Sequence, residues 1–107
     1  MSNSAVDRIL PGMHSLTPHL CCAGAADAIE FYKRAFDAVE LGRMPGPDSK
    51  LMHAMVKIGD SMLMLVDENT SCGMLGPKGI EGSPFTIHLY VEDVDATVKQ
   101  AADAGAR

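Results

Sequence analysis

Polar and apolar positions alternate or recur in a way that divides the chain into short elements. Leu16–Cys22 alternates, with Leu16, Leu20 and Cys22 on one side and Thr17, His19 and Cys21 on the other. This predicts a strand with two different environments. Pro18 cannot donate to a ladder, so part of that strand belongs at an edge or bulge. Over Ala25–Asp37, Ile29, Tyr32 and Phe36 recur at three-to-four spacing, with Glu30, Lys33 and Arg34 turned away; this predicts a one-sided helix on a sheet. Val39–Met44 has the make-up of a strand, and the Pro-Gly-Pro-Asp that follows is turn chemistry. Leu51–Ile58 alternates again, with Met52, Ala54, Val56 and Ile58 opposed to His53, Met55 and Lys57. Gly59–Asp60 is a hairpin signal, and Ser61–Val66, apolar on both faces, predicts a strand buried on both.

Residues 68–84 are rich in Gly, Pro, Ser and Asn, and read as a linker or a functional flap. Phe85–Val91 then predicts another strand, with Phe85, Ile87, Leu89 and Val91 inward and Thr86, His88 and Tyr90 opposite. Asp93 or Asp95 caps an expected helix near Val94–Ala104, whose stripe is Val94, Val98, Ala101 and Ala102, and Gly105 fits its stop. Residues 1–15 show no period and read as a leader. The order is β-α-β-β-β, linker, β-α. Thr-x-His-Leu opens both halves, at Thr17–Leu20 and Thr86–Leu89. If the halves are related by a pseudo-twofold axis, their Thr-x-His faces meet across a shared cavity.

Composition narrows the class. At 107 residues the chain is one domain at most, and a net charge of −5 argues against a nucleic-acid partner. No apolar run approaches the ~20 residues of a membrane span, and the first ten residues lack a signal-peptide core, so a cytoplasmic protein is expected. Three cysteines, an odd number with Cys21 and Cys22 adjacent, predict buried reduced thiols rather than disulfides. No glycine-rich nucleotide loop, His-Glu-x-x-His or paired Cys-x-x-Cys is present.

The stretches LTPHLCCAGAADAIEFYKRAF, LMHAMVKIGDSMLMLVDE and FTIHLYVEDVDATVKQAADAGA resemble the vicinal oxygen chelate superfamily, the glyoxalase and bleomycin-resistance group, and within it the PhnB-like branch. The resemblance implies an α+β fold of paired βαβββ modules. They form an open cupped sheet around a ligand, with helices outside, in a dimer or a fused pair. It divides the chain into module one (16–67), a linker (68–84) and an incomplete module two (85–107). Family members continue with three further strands, so the expectation is a fragment or a sheet completed by partner chains, such as a homodimer with exchanged elements. The superfamily's metal positions map to Thr17, Met64 and Thr86, poor ligands for a divalent ion.

The expected ligand-binding residues are Thr17, His19, His53, Met62, Met64, Thr86, His88 and Tyr90. Neutral imidazoles suit an anionic or phenolic ligand, and methionines suit a flat apolar one; the same side chains also serve as ordinary strand and core residues. No catalytic residue is assigned, because Cys21 has no base partner set by spacing. No cofactor is expected; were a divalent metal to bind, His19, His88 and Glu68 are its candidate ligands. Two functions follow. One is a small-molecule-binding protein holding its ligand in the cup. The other is a metal-dependent lyase, isomerase or dioxygenase in which the ion stabilises an enolate as a Lewis acid.

Overall fold

The computed structural model describes residues 9–106. The expected leader therefore lies outside the described residues over positions 1–8. Four strands form one open sheet: β1 (His19–Cys22), β2 (Val39–Pro45), β3 (Leu51–Ile58) and β4 (Ser61–Asp67), in the order β1-β4-β3-β2. β1 runs parallel to β4, and the other neighbours are antiparallel. With helix α1 (Ala25–Phe36) between β1 and β2, this is a βαβββ unit. β1 is shorter than expected. Pro18 has no N–H to give, so the ladder begins at His19, although the Pro18 carbonyl still accepts from the Met64 N–H at 2.9 Å.

The helix-facing side of the sheet carries the core. Leu65, Val56 and Ala54 are fully buried against Ile29 and Ala25 of α1, and Leu20, Cys22 and Ile58 pack around them. The expected stripe of β3 holds for Ala54, Val56 and Ile58 but not for Met52, which is exposed while Leu51 is buried. The cause is a bulge on β3: consecutive Met44 and Pro45 of β2 pair with His53 and Leu51, which leaves Met52 as the extra residue and offsets the alternation at the start of the strand. Ser61–Val66 is also less enclosed than expected. Leu63 and Leu65 face the core, whereas Met62 and Met64 on the other side are half-buried. On the rim, Lys33 of α1 reaches Glu40 of β2 at 3.1 Å, and Arg43 pairs with the same carboxylate. Those two cations, Arg43 first, hold the Glu40 carboxyl down to about 2.

Residues 68–84 have local structure of their own. They contain a 3₁₀ turn (Thr70–Cys72) and a short helix α2 (Pro77–Ile80). Gly76 lies against the outer edge of β1, where a Cβ would stand 2.5 Å from the Cys21 carbonyl oxygen. Only glycine permits that approach, and it blunts a sheet edge that would otherwise be open.

The second half departs most from expectation. Phe85–Val91 is not a strand: its backbone joins no ladder. The alternation is present in the sequence, but no neighbouring strand supplies the hydrogen bonds that define one. Helix α3 (Val94–Asp103) does form, with the Asp93 side chain accepting from the Ala96 N–H at 3.0 Å. Its expected stripe is mostly bare: Ala101 is buried, but Val94 and Val98 are more than 60% exposed, and Ala102 is exposed. Among the described residues no sheet lies beneath α3, which docks on α1 through its C-terminal half. There Gln100 donates to the Arg34 carbonyl at 2.9 Å and to Asp37 at 3.0 Å. The radius of gyration, 15.5 Å, exceeds the ~13 Å of a compact chain of this length, as expected for an arm beside a core.

Candidate functional site

The face of the sheet turned away from α1 is open. Register places its residues without ambiguity, because directly paired residues point the same way. His19 pairs with Met64, and Met64 pairs with Met55. Cys21 pairs with Val66 on the same face. His53, two positions before Met55, completes the group, and its ring lies edge-to-face with that of His19 at a centroid distance of 5.9 Å. Three expected ligand-binding residues, His19, His53 and Met64, therefore do stand together. Met62 lies on the same face one step along β4. Met55 belongs with them as well; its place in the alternation opposite the core residues of β3 was the signal for it.

The other expected residues are distributed differently. Thr17, Met62 and His88 border a cavity of about 350 Å³ at the hairpin end of the sheet, closed by Leu20, Tyr32 and Phe36. His19 instead borders a second space of about 400 Å³ beside β1, with Cys21, Leu75, Pro77 and Phe85. The two Thr-x-His faces thus meet only through Thr17 and His88, and the histidines stand in different surroundings. Thr86 and Tyr90 are exposed, Tyr90 at 91%, with the Tyr90 ring 4.8 Å from that of His88.

The carboxylates at the end of β4 hold backbone groups. Asp67 accepts from the N–H groups of Gly24 and Ala25 at 3.0 and 2.8 Å and from Leu51 N–H at 2.7 Å. It thereby caps α1 from a distant strand and ties in the start of β3. Burial pushes its carboxyl up, but the three N–H donors outweigh that and leave it below the ordinary value. Glu68 accepts from Gly76 N–H at 2.7 Å, fixing the loop at the edge of β1. No local pattern marks these roles, since the partners lie up to 43 residues away. The cysteines are free, and Cys72 is exposed rather than buried. Burial, followed by the charges of nearby acidic groups, raises the Cys21 thiol, and Cys22 is pushed up to about 11. Both are neutral near pH 7 and unsuited to nucleophilic attack.

Among the described residues no group of three or more His, Cys, Asp or Glu side chains is placed to hold a metal ion. Thr17, Met64 and Thr86 offer two hydroxyls and a thioether, a donor set that does not fit Zn²⁺, Ni²⁺ or Fe²⁺. No helix among the described residues is long and apolar enough to cross a membrane.

The profile of the Glyoxalase/Bleomycin resistance protein/Dioxygenase superfamily matches residues 12–107. The chain belongs to this superfamily. It is 52% identical over 95 residues to uncharacterized proteins of Mycobacterium bovis (Mb0911c) and Mycobacterium tuberculosis (Rv0887c), covering 86% of this chain and 62% and 56% of theirs. The chain thus spans less than two thirds of these curated relatives' length. Among solved structures it is similar to the Arabidopsis thaliana product At5g48480, with a TM-score of 0.70 and 28% identity over 89% of this chain and 75% of that one. TioX from Micromonospora sp. ML1 shares the fold, with a TM-score of 0.56 and 21% identity over 87% of this chain and 71% of that one. The α+β architecture with an open four-stranded sheet agrees with these neighbours.

Proposed function

We propose that this member of the superfamily is a small-molecule-binding protein that holds its ligand in the cup of the sheet. The observation that carries the reading is the asymmetry of the sheet. α1 covers one face with the core. The other presents His19, His53, Met55, Met62 and Met64, a soft adaptable surface with two polar handles. Membership of the PhnB-like branch, a cytoplasmic location and assembly as a homodimer belong to the same proposal. The bare apolar positions Phe85, Ile87, Leu89, Val94 and Val98 favour association. Light scattering at micromolar concentration tests it, and a stable monomer would count against the dimer.

The binding test is titration with metal-free bleomycin and with the flat apolar dye anilinonaphthalene sulfonate. Both should bind, and Met64→Asp should weaken the anionic dye by about tenfold or more, since it places a like charge in the cup. Failure of both probes, or dye binding indifferent to Met64→Asp, would overturn the reading. Glyoxalase-type turnover on addition of Ni²⁺ or Zn²⁺ would turn the case toward the metal-dependent enzyme.

A further inference from the structure

We propose that the cavity at the hairpin end of the sheet binds an uncharged, flat ring compound of the lactam class, held on the backbone of Met62. Such a compound carries an N–H donor and a carbonyl acceptor side by side. The cavity exists because rungs of a ladder are missing. β1 pairs with β4 only from His19 and Met64 onward. Continued in the same register, Leu16, Thr17 and Pro18 would pair with Ser61, Met62 and Leu63. They do not, and all of these residues line the cavity of about 350 Å³.

The missing rungs leave two backbone groups of Met62 unused. The N–H groups of Met64 and Glu68 donate to the carbonyls of Pro18 and Cys22. Backbone groups turn to alternate sides along a strand, so Met62 turns its N–H and C=O the same way as Met64, toward the cavity. The hairpin agrees. Ile58 and Ser61 close its two-residue turn, and the next pair, Lys57 and Met62, is the one whose groups turn outward. One rung before Met64, the Met62 carbonyl would accept from the N–H of residue 18, and Pro18 has none. The Met62 N–H would donate to the Leu16 carbonyl, and no such bond forms. Among the described residues neither group has a hydrogen-bond partner. Met62 thus offers a donor and an acceptor on one edge, and a lactam offers their complement.

The rest of the lining selects the class. Leu20, Ile58 and Leu63 make apolar walls, and the rings of Tyr32 and Phe36 close the space. No Asp, Glu, Lys or Arg lines it, so a charged ligand would lose its hydration without gaining a counter-charge. The volume falls within the range of small-molecule sites, about 300–1,000 Å³. His53, Met55 and Met64 of the open face do not line this cavity, so the inference stands apart from the reading above.

The test is titration of the ¹⁵N-labelled protein with quinolin-2-one, a neutral fused-ring lactam. Its N-methyl derivative, which keeps the ring and carbonyl but lacks the donor, is titrated beside it. Quinolin-2-one should shift the Met62 amide and leave the amides of β2 in place. The N-methyl compound should bind about tenfold more weakly, because it leaves the Met62 carbonyl unpaired. Thr17→Phe fills the cavity from a segment outside the ladder and should weaken quinolin-2-one by about tenfold or more. Met64→Asp, on the open face, should leave that affinity within about twofold. An unmoved Met62 amide, equal affinity for the two compounds, or binding that Thr17→Phe leaves intact would overturn the proposal. So would binding lost in Met64→Asp but kept in Thr17→Phe, which would assign the compound to the open face.

Discussion

Thr-x-His-Leu occurs at Thr17–Leu20 and again at Thr86–Leu89, each time ahead of a helix, and the two copies meet different fates. In the first, His19–Cys22 joins β4 in register and Leu20 packs against a core that includes the fully buried Leu65, Val56 and Ile29. In the second, the backbone joins no ladder among the described residues, and Phe85, Ile87 and Leu89 stay 40–55% exposed. The helices differ in the same sense: α1 buries Ala25, Ile29 and Ala35, and α3 buries Ala101. A strand pattern specifies which face is apolar, but a ladder needs a partner and burial needs a layer to pack on.

The largest effect that would test this contrast is in the cores themselves. Leu65→Ala should cost about 3–5 kcal/mol in chemical denaturation, because a fully buried side chain leaves a cavity. Leu89→Ala in the second copy should cost under about 0.5 kcal/mol. Comparable losses would show that the second copy is packed in solution, in this chain or against another.

Next comes the Asp67 fastener. Asp67→Ala should lose about 2 kcal/mol through the uncapped α1 and the unpaired Leu51 N–H. The folded-state pKa is depressed below the ordinary 3.8. The contribution of Asp67 is therefore full above pH 3.8 and fades as pH falls through the lower folded-state value. The parent should lose stability over that acidic stretch, and Asp67→Asn should lose less there. An equal slope in both, measured by thermal melts across the range, would remove Asp67 from the account.

Amide exchange compares the copies without mutation. Val56 and Leu65 should exchange only with global unfolding, whereas the 85–91 amides should exchange close to unprotected rates. Protection of Ile87 or Leu89 that rises with protein concentration would sharpen the contrast into an intermolecular strand pairing. The smallest effect is Lys99→Ala. It removes an exposed i,i+4 pair with Asp103 at 2.9 Å and should change stability by under about 0.5 kcal/mol.

Much of the candidate site was legible because strand alternation is local: the same period that put Ala54 and Val56 in the core put His53 and Met55 on the opposite face. Other features were not legible. Met52 belongs by alternation with the core, but it is the extra residue of a bulge that only pairing with β2 creates. The role of Asp67 left no local mark because its three N–H partners come from a loop, a helix start and another strand, none near it in the chain.

The sequence by itself determined the two longer helices, the hairpin at Gly59–Asp60 and the face on which the β3 residues from His53 to Ile58 lie, since these follow from short-range periodicity and turn chemistry, and its resemblance to known sequences pointed to the superfamily. The tertiary structure alone decided which alternating run became a strand, which histidine met which, and where the carboxylates were committed. His19 lies beside His53 rather than His88 because sheet order, β1-β4-β3-β2, brings β1 and β3 to either side of one strand. That order is set by long-range pairing, whose hydrogen bonds and buried area no local pattern records.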